Sequence, residues 1–93
     1  METKLEFRGI SREIMIKYLL SIANLTHDQV ITSEDMSVII KNHEWTVTVS
    51  KEENYQVNPA ISFPKLFLTF SGEEEVVKEV IRKLRTKTLR LGG

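Results

Sequence analysis

The clearest pattern in the chain lies at Trp45 to Ser50, where Trp45, Val47 and Val49 alternate with Thr46, Thr48 and Ser50. Period-two alternation marks a strand with one buried and one wet face. Lys4 to Gly9 repeats it more weakly, with Leu5 and Phe7 against Lys4, Glu6 and Arg8. Ile61 to Phe70 repeats it again, with Leu66, Leu68 and Phe70 on the core side and Lys65, Phe67 and Thr69 opposite. Short strands are expected at Val30 to Thr32 and Ser37 to Ile40, with Tyr55 and Val57 extending the Trp45 strand. Pro64 lacks a ladder donor and places its end of the last strand at an edge or bulge. Lys41-Asn42-His43-Glu44 reads as a hairpin turn through the positive φ that Asn tolerates, and Asn58-Pro59 as a break.

Helical spacing occupies two stretches. Arg12 to Ala23 follows Ser11 as N-cap, with Glu13 in the first turn. Its band of Ile14, Met15, Tyr18, Leu19 and Ile22, widened by Ile16 and Leu20, predicts a helix covered on more than one side. The second helix opens at Ser71-Gly72-Glu73-Glu74, which has capping-box spacing, and carries Val77, Val80, Ile81 and Leu84 as its apolar stripe. The order is β-α-β(3-4)-α: an α+β fold with an antiparallel sheet and two helices on one face. It matches the TATA-binding-protein-like, or helix-grip, description. It does not match the β-grasp of ubiquitin, whose chain leaves from a strand.

Composition narrows the picture further. At 93 residues the chain is expected to be one domain over 1–93, with 87–93 as a flexible Gly-Gly tail. Thirteen basic residues balance thirteen acidic ones, so no nucleic acid or anionic membrane is demanded as partner. Cysteine is absent, which removes disulfides and thiolate metal sites and suits a reducing compartment. The charged start and the lack of a long apolar run place the protein in the cytoplasm.

Candidate chemistry gathers at the C-terminal end. Gly92 and Gly93 present a backbone with no Cβ, thin enough to enter a partner's active site. Leu89, Arg90 and Leu91 supply a docking approach. In carriers ending this way, an ATP-dependent activating enzyme adenylates the terminal carboxylate, and sulfide or a lysine amine then captures the acyl group. The plain alternative is that the glycines end a helix. A basic run, Arg82, Lys83, Arg85, Lys87 and Arg90, could touch RNA phosphates, but it also complements a helix C-terminus as a solvated face. No outward strand face shows alternating aromatic and basic residues, so core packing is the expected use of the aromatics. Phe67, pointing outward beside Thr46 and Thr48, is the candidate for an interaction surface or homodimer interface. His27 and His43 fall in loops without a ligand pattern, and no metal site, cofactor or catalytic constellation is expected.

Two stretches carry a family resemblance. Phe7-Arg8-Gly9-Ile10-Ser11-Arg12-Glu13 leads into a Tyr-Leu-Leu helix and, after the Trp45 strand, Phe70-Ser71-Gly72-Glu73-Glu74 leads to Lys83-Leu84-Arg85-Thr86-Lys87-Thr88-Leu89-Arg90-Leu91-Gly92-Gly93. Together they resemble a small, mainly archaeal domain found alone or fused to ubiquitin-like sulfur carriers of the molybdopterin-synthase small-subunit type. The resemblance implies the helix-grip fold and a link to sulfur-carrier biology, without an enzymatic activity. Only Gly92 and Gly93 carry over as a reactive terminus.

Overall fold

In a computed structural model of the chain, which describes residues 1–92, six strands and two helices follow in the order β1 (Glu2–Arg8), α1 (Arg12–Ala23), β2 (Ile31–Thr32), β3 (Val38–Lys41), β4 (Trp45–Val49), β5 (Glu53–Asn58), β6 (Ile61–Gly72) and α2 (Glu74–Gly92). A 3-10 turn at His27–Gln29 joins α1 to β2, where sequence suggested only a polar connection. All the strands form one antiparallel sheet of order β1-β6-β4-β3-β2, with β5 paired to β6.

Alternation divides the sheet into two faces. Val38, Ile40, Trp45, Val47, Val49, Leu66, Leu68 and Phe70 point to one side, where they are buried with Met15, Leu19, Leu20 and Ala23 of α1 and Val77, Val80 and Leu84 of α2. Phe70 is the largest fully buried side chain, and its ring lies 6.4 Å from that of Trp45 at 44°. The chain is therefore a two-layer α+β sandwich with both helices on one face of the sheet.

Helix α1 starts as expected, with Ser11 Oγ accepting the Ile14 N–H at 3.3 Å. Its C-terminus closes on Asn24 in the left-handed region (φ 59°). The apolar band is narrower than its sequence suggests. Met15, Leu19 and Ala23 face the sheet, while Ile14 is 37% exposed. Tyr18 lies beside α2, 5.8 Å under the Lys87 ammonium.

The cap of α2 also differs. Ser71 belongs to β6, held between Glu2 and Thr46 by ladder pairing, so the helix starts after Glu73, whose carbonyl accepts the Val77 N–H at 2.9 Å. Ladder pairing on both flanks outweighs one side-chain cap. In the β3–β4 hairpin Asn42 works by its side chain and not by positive φ: Oδ1 accepts the Glu44 N–H at 2.7 Å, and Asn42 is not among the positive-φ residues.

β4 and β5 lie along the same flank of β6, Val49 opposite Leu68 and Glu53 opposite Lys65. They form one strand interrupted at Ser50 to Glu52. At the interruption Ser50 bridges the gap, its N–H donating to the Phe67 carbonyl and its Oγ accepting the Phe67 N–H, both at 2.9 Å. Beyond it the β5–β6 hairpin continues past the end of β1 as a two-stranded ribbon, turning at Asn58, whose Oδ1 accepts from Ala60 and Ile61. Pro64 sits where β1 stops, and its carbonyl accepts the Gly9 N–H at 2.9 Å. Its missing donor thus falls beyond the last rung on that side. Replacing Ser50 with alanine leaves the part-buried Phe67 N–H without its acceptor and should cost about 1 kcal/mol of unfolding free energy in urea titrations.

Candidate functional site

Three regions carry the residues singled out above. The first is the end of α2. Residues 87–92, expected as a flexible tail, continue the helix, and Gly93 lies outside the described residues. Gly92 is the last residue of the helix, and Leu89 is 73% exposed. The backbone of Arg90 and Leu91 is helical.

Arg82, Lys83, Arg85 and Lys87 of the basic run are spread around α2 and do not form a single stripe, because steps of one and two residues scatter side chains around a helix. Arg82 is engaged within the helix, donating to both carboxylate oxygens of Glu79 at 3.0 and 2.5 Å. That bidentate bond raises the guanidinium pKa and holds the Glu79 carboxyl below its ordinary value. Lys87 lies over Tyr18, and Lys83 and Lys87 line a groove between α1 and α2 with Ser21 and Ile22. The acidic start of α2 is similarly self-neutralised, since Lys78 meets Glu74 at 3.0 Å one turn on.

The second region is the uncovered face of the sheet. Thr46, Thr48 and Phe67 all lie on it, in rows running Lys41–Thr46–Ser71–Glu2, Ile39–Thr48–Thr69–Lys4 and Phe67–Glu6. Phe67 is half-buried between two ammonium groups, Lys4 at 4.8 Å and Lys65 at 5.4 Å from its ring centroid. Further along, Phe63 pairs with Tyr55, and the Arg8 guanidinium stacks 4.0 Å above the tyrosine ring. The expectation that no outward strand face alternates aromatic and basic residues is therefore corrected: Phe63, Lys65 and Phe67 do so on β6, flanked by Arg8 and Lys4 of β1. The signal was present as Phe-x-Lys-x-Phe, but Pro64 and Leu66 in the intervening positions make the stretch look uniformly apolar. Charge on this face is largely paired, Arg8 with Glu6 at 2.6 Å and Lys65 with Glu53 at 3.8 Å.

The third region is a cleft of about 640 Å³ between the start of α1, the β2–β3 turn and the β4–β5 interruption, lined by Arg12, Glu13, His27, Thr32 and Glu52 among others. Arg12 ties its walls together. Its backbone N–H donates to Glu52 Oε1 at 2.8 Å, and its guanidinium donates to the Met36 carbonyl. Met36 holds a positive φ of 69° in a turn closed by Asp35, whose carboxylate accepts from the Ser37 N–H and hydroxyl. Those bonds hold the Asp35 carboxyl below its ordinary pKa. Glu52 already occupies the anion position at the N-terminus of α1, and the Arg12 Nε lies buried without a partner. His27 and His43 are exposed, His43 with Nε2 3.2 Å from Glu44. Among the described residues no three His, Cys, Asp or Glu side chains converge as metal ligands, and no helix is long and apolar enough to cross a membrane.

No curated protein and no solved structure gives a significant match to the chain. A family model described as archaeal MoaD-like protein matches residues 3–93, from the first strand through both glycines. Because the match spans the whole antiparallel sheet and both helices as well as the C-terminal Leu-Gly-Gly, the chain belongs to the archaeal MoaD-like protein family.

Proposed function

We propose that the protein is a carrier or accessory factor in ubiquitin-like sulfur-carrier biology, acting through Gly92 and Gly93 and catalysing no reaction of its own. The observation that carries this reading is the family match, which runs through Gly93 and thus includes the glycine pair. The chemistry it calls for is simple. An activating enzyme joins the Gly93 carboxylate to AMP from ATP, releasing pyrophosphate, and a sulfur donor then displaces AMP to leave a thiocarboxylate. Gly92 suits such an encounter because no side chain blocks approach to the last peptide. Exposed Leu89 lies one turn before the end as an apolar contact, with Arg90 and Leu91 completing the docking segment. For the thin end to enter an ATP site the last turn of α2 must unwind. A last helical turn that ends on a glycine makes that inexpensive.

The scaffold fits the finer fold assignment as well. Counting β4 and β5 as one interrupted strand turns the element order into β-α-β(4)-α, the order of the TATA-binding-protein-like or helix-grip description, and we read the fold as that one. We place the protein in the cytoplasm, where activating enzymes and ATP are available.

The test is to incubate the purified protein with ATP and the activating enzyme of its organism and weigh it intact. The expected result is a native protein whose mass ends at Gly93, an adenylate intermediate, and the mass gain of an oxygen-to-sulfur exchange, all lost when Gly93 is deleted. No modified species beside a working control carrier would end the proposal.

A second reading has its own observation. The aromatic and basic strip of Tyr55, Phe63 and Phe67 with Arg8 and Lys4, beside Thr46 and Thr48, suits an interaction module that offers the uncovered sheet face to a partner. Phe67→Ser would abolish such binding while leaving modification of Gly93 intact.

A further inference from the structure

β1 stands at the end of the strand order, with β6 on one side and, among the described residues, no strand on the other. The direction of its backbone groups is fixed by its pairing. Met1 exchanges hydrogen bonds with Gly72 at 2.8 and 3.1 Å, and the Gly9 N–H reaches the Pro64 carbonyl. Odd-numbered residues therefore turn their N–H and C=O toward β6, and Glu2, Lys4, Glu6 and Arg8 turn theirs to the open edge. The side chains of these same four residues are exposed on the uncovered face and alternate in sign. Leu5 and Phe7, on the helix side, are only half-buried.

We propose that this edge is a homodimer interface in which β1 pairs antiparallel with β1 of a second copy, about a twofold axis through Leu5. The argument is register. Hydrogen-bonded pairs must join even-numbered residues with even-numbered ones, which leaves few alignments. With Leu5 opposite Leu5 of the partner copy, Lys4 meets Glu6 and Glu2 meets Arg8, so every charged pair is of opposite sign. Sliding by one hydrogen-bonded step in either direction puts Lys4 against Lys4 and Glu2 against Glu6, or Glu6 against Glu6 and Lys4 against Arg8. All of these are repulsive. Charges on an edge strand ordinarily discourage pairing. Here their order permits one self-pairing and penalises its neighbours, as an isologous twofold contact requires. On the helix side, the same alignment places Leu5 against Leu5 and Phe7 against Thr3, covering apolar surface that the monomer leaves half-open. The two sheets join into one, with both uncovered faces on the same side. This inference is independent of the glycine terminus.

Sedimentation equilibrium up to about 0.5 mM protein should show a monomer–dimer equilibrium. Two charge variants test the register. K4E/R8E makes the outward face of the strand wholly acidic, and E2K/E6K makes it wholly basic. Each alone should weaken self-association by about tenfold or more, and an equimolar mixture should restore a dimer. Because the chain has no cysteine, Leu5→Cys supplies a single thiol on the twofold axis, which oxidised glutathione should convert to a disulfide-linked dimer. Thr3→Cys, opposite Phe7, should remain unlinked. Circular dichroism and urea titration confirm that each variant is folded. A wild-type monomer at every concentration would overturn the proposal. So would a dimer indifferent to both charge variants, or one dissolved by Phe67→Ser with the edge unchanged.

Discussion

Phe70→Ala is expected to lower the unfolding free energy by about 3–5 kcal/mol, read from the midpoint of urea denaturation at unchanged slope. Phe70 is wholly buried near the C-terminal end of β6, opposite Val47 on one flank and Thr3 on the other. Its ring contacts the Trp45 ring in a tilted pair that contributes beyond the area it buries. Truncation removes the transfer free energy of the ring and leaves a cavity flanked by Val47 and Thr3 on the neighbouring strands. Strands locked into two ladders cannot move inward to fill that space. A domain of this length has total stability of about 5–14 kcal/mol, so the variant should lose a large share of it. A change below about 1 kcal/mol would mean that Trp45 and the helices collapse into the cavity.

Gly72→Ala is expected to be nearly as damaging, through the backbone and not the core. Gly72 ends β6 with a φ of 152°, a region that side chains with a Cβ rarely enter. A methyl group there would stand 2.9 Å from the Glu44 carbonyl oxygen and 3.3 Å from Trp45 Cα, both fixed in the adjacent hairpin. The same residue bonds Met1 through its N–H and its C=O, so displacing it also loosens the start of β1. The expected cost is about 2–3 kcal/mol in the same titration. Gly9→Ala is the useful control: it also has positive φ, at 83°, but a Cβ there meets nothing within 4 Å. Its loss should be smaller, since only the conformational strain remains.

These two residues also show what a sequence of this kind discloses. The Phe70 position is legible, because a strand buried on one face leaves a period-two record in Leu66, Leu68 and Phe70, and the same holds for Trp45, Val47 and Val49. The role of Gly72 is not, since it depends on a hairpin turn that approaches from elsewhere in the chain. Ser71-Gly72-Glu73-Glu74 carries a sound local signal for a helix cap, and pairing of Ser71 with Glu2 and Thr46 overrides it. β5 is hard to read for a different reason. Both faces of its ribbon are solvated, so it has no hydrophobic period to display. Of the candidate sites, the outward Phe67 follows from spacing alone, whereas Leu89, expected in a flexible tail, lies on a helix. Arg8 over Tyr55, and the free edge of β1, appear only once β6 is known to lie between the first strand and the fourth.

The interruption at Ser50 has a consequence for cooperativity. On one side of it the β4–β6 ladder is braced by β1, β3 and two helices, and can open only when the whole domain does. On the other side the ribbon of Glu53 to Phe63 has solvent on both faces and is held by Arg8, Gly9 and the Lys65–Glu53 ion pair. A single serine, bonded to Phe67 through its backbone N–H and its hydroxyl oxygen, marks the border between these regimes. The distal ribbon is thus a subunit of stability in its own right, free to fray, bend or accept inserted residues at its Asn58 turn without drawing on the free energy of the core.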